Sequence, residues 1–211
     1  MNHRFSALKL TQAAMIAALA YIGFQFLRID IPVGTERTAF HLGNTFVVLG
    51  VLLLGGWGGA AAAVGLTIAD LTGGYATSAP KTLILKLAIA FFAWLVSRKL
   101  WHIEQETSVK RQSLIAAEAA ATALGLNVVL DPFVGYLYKT YIFGIPQEVS
   151  ALFAKIASMT TLVNAILSAV CVVVFWTGIY PPLSRGGLLA WNRTKEEKTK
   201  EHKNSRKADS E

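Results

Sequence analysis

The chain predicts an all-α membrane protein, a six-transmembrane-helix bundle with both termini in the cytoplasm. Three observations carry that expectation. Hydrophobic residues fill 54% of the 211 positions and charged residues only 16%, too apolar for a soluble domain of this size. Apolar runs recur at lengths near the roughly 20 residues that cross a hydrocarbon core. Lys and Arg are distributed unevenly between the connecting segments, which sets orientation.

The elements follow in chain order. Residues 7–27, ALKLTQAAMIAALAYIGFQFL, form the first span. Arg4 and Lys9 precede its apolar stretch, and Ala18-Leu19-Ala20 resembles a signal-peptide cleavage site. The run continues past that point through Leu27, so the segment reads as retained. Residues 28–41 form an extended loop. Residues 42–56 and 57–74 are two shorter apolar pieces joined at GGWGG; they read as two helices or as one irregular span, which would give five spans. Residues 81–97 form a span with Lys86 inside it, 113–130 an alanine-rich span, and 149–179 a long final one.

With six spans, one side receives residues 1–9, 98–112 and 180–211, which carry 14 Lys and Arg. The other side receives 28–41, 72–81 and 131–148, which carry four. This asymmetry places both termini inside and supports an even number of spans. Residues 1–180 are then the transmembrane domain, and residues 181–211 a charged tail. The last 20 residues hold 12 of the 33 charged side chains and show no apolar periodicity. They read as a solvated, disordered extension, suited to solubility and topology or to contact with anionic headgroups or a partner.

Polar residues are informative by depth. Gln25, Arg28, His41, Asn44, Asp70, Tyr75, Lys81, Asn127 and Asp131 all fall at the outer ends of the expected spans. Lys86 and Lys155 fall slightly deeper. The inner halves offer mainly Glu118. A polar side chain in a membrane needs a partner, a cavity or water. So many at one depth point to a single pocket opening outward beneath the loops. Arg28, Lys81 and Asp131 equally suit an interfacial position. Asp70 equally suits an ion pair with Lys86 or Lys81, and Glu118 a structural hydrogen bond. Lys86, Lys155 and Asn164 sit too deep for that explanation. A ring could stack on Tyr75, Tyr136, Tyr138 or Trp57. Asn44 and Asn127 offer donor and acceptor edges, and Lys86 and Lys155 suit an anion or an electron-rich oxygen. Asn44, one turn deeper than His41, is the expected ligand contact; His41 is expected to pin the loop.

Catalytic signatures are missing. GWGGAA at residues 56–61 matches G-x-G-x-x-A but lies inside an apolar run with no strand before it. Gly55 and Gly59, extended by Ala63, instead form a small face for close helix packing. There is no phosphate-binding P-loop, no H-E-x-x-H and no G-x-S-x-G. The histidines at 3, 41, 102 and 202 are scattered, and Cys171 is the lone cysteine. No metal site, disulfide, cofactor or nucleic-acid partner is expected, and any energy for transport must come from elsewhere. A membrane-embedded enzyme would have to rest on Asp70, Glu118 and Asp131, with no signature behind them; a purely regulatory membrane subunit would not need lysines inside its helices. On the first helix, Ala13 and Ala17, like Ala14 and Ala18, are spaced four apart, a small face for another helix or for internal packing.

Three features resemble a known family: the helix TQAAMIAALA, the loop and helix IPVGTERTAFHLGNTFVVLGVLLLGGWGG, and the segment ADLTGGYATSAPKTLILKL. Over about residues 8–180 the chain resembles the substrate-binding S components of energy-coupling factor (ECF) transporters. The resemblance implies a six-helix bundle in a prokaryotic plasma membrane that binds a vitamin near its outer face. It implies partners: a transmembrane scaffold subunit and two cytosolic ATPases, with the S component toppling in the bilayer to deliver substrate. It assigns Ala13 and Ala17, with Ala14 and Ala18, to the scaffold contact. It places the substrate site, by region, at Arg37, His41, Asn44, Tyr75, Lys86, Asn127, Lys155 and Asn164, to which the depth pattern adds Asp70. The branch it looks nearest handles pyridine or pyrimidine vitamins, pyridoxine or hydroxymethylpyrimidine, with riboflavin, thiamine and pantothenate also open.

Overall fold

The computed structural model describes residues 7–33 and 36–186. The tail expected over 181–211 therefore lies mostly outside the described residues. In chain order the elements are α1 (Ala7–Gln25), β1 (Arg28–Val33), β2 (Glu36–His41), α2 (Gly43–Leu54), α3 (Gly56–Thr72), α4 (Ala79–Trp94), α5 (Val109–Leu137) and α6 (Gln147–Arg185). Helices α4 and α5 each continue as a short π-helical stretch, to Leu100 and Ile142.

The fold is mostly helical, but it is not all-α. The loop expected over residues 28–41 is an antiparallel hairpin in which Arg28 faces His41 and Val33 faces Glu36. The signal lies in RIDIPV, where β-branched residues alternate with polar ones or proline at the period of a strand. Next to long apolar runs, six-residue strands are easy to take for irregular chain.

Four segments are long and apolar enough to cross a bilayer: Ala7–Gln25, Ala76–Leu100, Val109–Ile142 and Gln147–Arg185. Helix α2 has 12 residues and α3 has 17. At 1.5 Å per residue they reach only about 18 and 26 Å. Helix α2 can be short because its surroundings are protein: Gly43 to Leu52 is buried apart from Phe46.

Residues 42–74 form two helices, not one irregular span. Gly55 takes φ +69°, a left-handed conformation that glycine adopts without a Cβ penalty, and the chain reverses there. Past the turn, Gly50 of α2 meets Gly58 of α3 with backbone against backbone, and Gly43 lies beside Leu66. This places α2 and α3 antiparallel. Gly59 lies against Val51 and Ala90, so the small face drawn from Gly55 and Gly59 is used for close packing. Gly65 lies directly against the backbone of Ala17, which seats α1 on α3. At the end away from the hairpin, the Arg98 guanidinium donates to the carbonyls of Val51 and Leu52, the open C-terminal groups of α2.

The apolar core runs through the middle of the bundle, from Phe24 and Ala20 on α1 to Leu52, Leu66, Ile89, Leu124, Val172 and Trp176. Asn44, Thr45, Asp70, Lys86, Thr160, Thr161 and Asn164 are buried toward the hairpin end, while Ser97 and Gln112 are buried at the opposite end.

Candidate functional site

A cavity lies under the hairpin, walled by α1, β2, α3, α4, α5 and α6. Phe24, Arg37, His41, Leu66, Asp70, Tyr75, Lys81, Thr82, Lys86, Asp131, Thr160, Thr161 and Asn164 are among the residues lining it. Each wall places its polar groups for a local reason. On α6, Thr160, Thr161 and Asn164 are one turn apart and share a face. Lys155 is nine residues from Asn164, about 180° around the helix at 100° per residue.

The hairpin is held from below by α6. Asn164 donates from Nδ2 to the Ala39 carbonyl at 2.9 Å and accepts the His41 amide on Oδ1 at 3.0 Å. Its carboxamide pairs with the free edge of β2 as a neighbouring strand would. The Thr38 and Thr160 hydroxyls are 3.0 Å apart and add a second tie one turn away.

The loop between α3 and α4 closes the other side. Tyr75 donates its hydroxyl to Asp30 at 2.8 Å, and Arg28 reaches the Gly73 carbonyl at 3.1 Å. Arg37 lies over the Tyr75 ring, 5.6 Å from its centroid. Burial, then the bond to Asp30, pushes the Tyr75 phenol up to about 12, so it stays a donor.

His41 joins the roof to the wall. Its Nδ1 accepts the Gly43 amide at 3.1 Å, satisfying an open N–H in the first turn of α2. Nδ1 therefore carries no proton, and the neutral ring keeps its proton on Nε2. The ring meets Phe24 edge-on at 4.9 Å. Burial, then the charge of Lys86, lowers the His41 pKa from its ordinary 6.5 to about 3. Above pH 6.5 neither folded nor unfolded chain protonates His41; below it only the unfolded chain does, so stability falls with pH down to about 3. The slope from this residue is at most about 1.4 kcal/mol per pH unit. Thermal unfolding in detergent from about pH 7 to about pH 5 should show this loss, and His41→Gln should flatten it. An equally steep fall in the variant would remove His41 as its source.

Across the floor, Lys81 Nζ meets Asp131 Oδ1 at 2.9 Å, and Thr161 donates to Asp131 Oδ2 at 2.6 Å. One carboxylate thus links α4, α5 and α6. Lys86, one turn deeper, is buried and makes no ion pair within 4 Å among the described residues. Asp70 is buried nearby and has an Oδ2 with no hydrogen-bond partner. The lining carries three cations and two carboxylates. Lys81 pairs with Asp131, Asp131 and Asp70 both lie near Lys86 without an ion pair to it within 4 Å, and Arg37 stands at the rim.

The structure brings together Arg37, His41, Asp70, Tyr75, Lys86 and Asn164. It keeps three other expected residues away from the cavity wall. Asn44 and Asn127 are buried below the floor, and each carries an Oδ1 without a partner. Lys155 is exposed in a groove between α5 and α6 that it shares with Tyr136. Trp57 is exposed at the α2–α3 turn, and Glu118 is exposed on α5. Sequence reasoning missed Phe24, Thr82, Thr160 and Thr161, and left Lys81 and Asp131 open between the pocket and the interface. Only the turn-spaced pair Thr160 and Asn164 left a trace, and a threonine in an apolar helix ordinarily bonds its own backbone. Among the described residues no group of three or more His, Cys, Asp or Glu is placed to hold a metal.

Four segments long and apolar enough to cross a bilayer, with a polar cavity roofed at one end, give the chain the make-up of a membrane-embedded helical bundle. The chain belongs to the family of ECF-type riboflavin transporter S components, whose model matches residues 4–181. These are transporter components, not enzymes, and the chain is a multi-pass membrane protein of that kind. Its fold is also similar to that of the S component of a bacterial ECF transporter, with a TM-score of 0.53 and 13% identity over 84% of this chain and 95% of that one. No curated protein matches the chain.

Proposed function

We propose that the chain is the substrate-binding subunit of an ECF-type importer in the cell membrane, capturing a ring-bearing vitamin in the cavity under the hairpin. The observation that carries this is that a buried Lys86, with no ion pair within 4 Å among the described residues, and the Asp70 Oδ2, with no hydrogen-bond partner, line one cavity. Burying such groups costs stability unless something pairs with them. A heterocycle with acceptor and donor atoms on one edge satisfies both, while Phe24 and Tyr75 present aromatic surface to its ring. The near balance of charge inside favours an uncharged ligand. Riboflavin, for which the family is named, is the first candidate. A pyridine- or pyrimidine-type vitamin such as pyridoxine is the second, since its compact ring and polar substituents suit the same two groups.

The excess of Lys and Arg on the other side supports the hairpin end facing outward, with six membrane-embedded helices and both termini in the cytoplasm. Delivery then requires a scaffold subunit and cytosolic ATPases. Ala14 and Ala18 are exposed on α1, whereas Ala17 packs on Gly65 and Ala13 is half-buried. The Ala14 and Ala18 side of the helix is therefore the face open to the scaffold subunit.

The test is mass spectrometry of ligand released from purified protein, followed by titration with riboflavin and pyridoxine. If neither binds below the micromolar range, the proposal fails. Lys86→Met should weaken binding roughly tenfold or more while leaving the melting temperature unchanged or raised, because a buried lysine opposes folding. A variant that loses stability and binding in parallel would make Lys86 structural instead.

A further inference from the structure

Lys155 has no part in the cavity under the hairpin, yet it stands in a helix long and apolar enough to cross a bilayer. It is exposed, and the exposed side chains one turn either side of it, Leu152 and Met159, are apolar. A cation on such a face is costly unless an opposite charge meets it. Lys155 makes no ion pair within 4 Å among the described residues. Glu148 shares its face but lies about 10 Å away along the axis, too far to pair.

The surroundings of Lys155 are a built groove between α5 and α6, of about 460 Å³, walled by Val128, Val129, Phe133, Tyr136 and Ser158 among others. The Thr161 hydroxyl meets Asp131, so residues before 161 on α6 lie beside residues after 131 on α5. Lys155 and Tyr136 therefore stand at the hairpin end of the groove, and Val128 and Val129 lie deeper. Polar groups at the mouth and apolar ones further in repeat the polarity of a lipid in one leaflet. We propose that this groove holds one anionic phospholipid of the leaflet at the hairpin end, its phosphate on Lys155 and an acyl chain along Val128, Val129 and Phe133. The unpaired charge selects an anionic lipid, because a zwitterionic one brings its own cation. The Tyr136 and Ser158 hydroxyls can donate to phosphate or ester oxygens. A lipid fits this face better than a protein partner. Helix α1 packs on α2 and α3, whereas α5 packs on α6, so the groove lies away from the α1 face open to the scaffold subunit.

The experiment places the purified full chain in nanodiscs of equal parts phosphatidylglycerol and phosphatidylcholine. Native mass spectrometry then reads which lipid stays bound on release into detergent. Phosphatidylglycerol should be retained preferentially by the unaltered chain. Lys155→Met should lower its retention about fivefold and leave phosphatidylcholine unchanged, and Lys155→Arg should keep the preference. Val129→Trp, which fills the deep end and keeps the charge, should also lower phosphatidylglycerol retention. Both altered positions are exposed, so melting temperatures should match the unaltered chain. Equal retention of the two lipids by the unaltered chain would overturn the proposal, as would a preference that survives Lys155→Met. A preference lost in Lys155→Met but untouched by Val129→Trp would place the lipid at the lysine alone, outside the groove, and the proposal would fall on that result too.

Discussion

Asp131→Ala is expected to lower stability by about 3 kcal/mol and to abolish measurable ligand binding. Both carboxylate oxygens are in use, one on the Lys81 ammonium and one on the Thr161 hydroxyl. Removing the carboxylate strands a cation and a hydroxyl between three helices. Breaking a buried pair from one side costs about 3–5 kcal/mol. The Lys81 side chain keeps 19% of its exposure, so water recovers part of that loss and the lower end applies. The double variant Lys81→Met with Asp131→Leu separates the two effects. It should regain most of the stability, because apolar groups of similar volume replace buried pairs at little cost, yet it should not regain binding. A double variant no more stable than Asp131→Ala would show that the pair is not what joins α4, α5 and α6.

Asn164→Leu is expected to cost about 2–4 kcal/mol and to loosen the roof. The substitution leaves the Ala39 carbonyl and the His41 amide without partners, each at about 1–3 kcal/mol. Some of the loss should be local, because β1 still pairs with the other edge of β2. The direct measurement is hydrogen exchange in detergent. The His41 amide should exchange roughly tenfold faster or more, and the ligand should dissociate faster in proportion. Unchanged protection at His41 would mean that the hairpin is held by β1 and Thr160 alone. Asn164 lines the cavity, but its carboxamide is already committed to the hairpin, so its effect on binding runs through the roof.

Much of the membrane architecture was legible because it depends on sums along the chain. Apolar runs, the glycine pair at 55 and 59, and the cationic excess on one side are one-dimensional properties. The hairpin was less legible, since its alternating residues are few and lie beside far stronger helical signals. The site was legible only by depth. Lys86 and Asp70 could be placed in a common layer because both interrupt apolar helices near the same end. Lys155 shares that layer yet faces away, since depth says nothing about which way around a helix a side chain points. Asn44 and Asn127 show the complementary limit: they point inward but lie one turn too deep to reach the cavity.

By itself the sequence determined that this chain lives in a membrane, which of its segments are helices, and at which end its polar chemistry gathers. Hydrophobic transfer and the cost of buried polar groups act on composition and spacing alone, so no contact need be known to apply them. The tertiary structure decided which residues share the cavity, that Lys81 pairs with Asp131 while Lys86 makes no ion pair among the described residues, and that Asn164 holds the roof. Those outcomes depend on the rotation of each helix about its axis and on approaches as close as that of Gly65 to Ala17. Packing between distant segments sets both, and a linear pattern does not contain it.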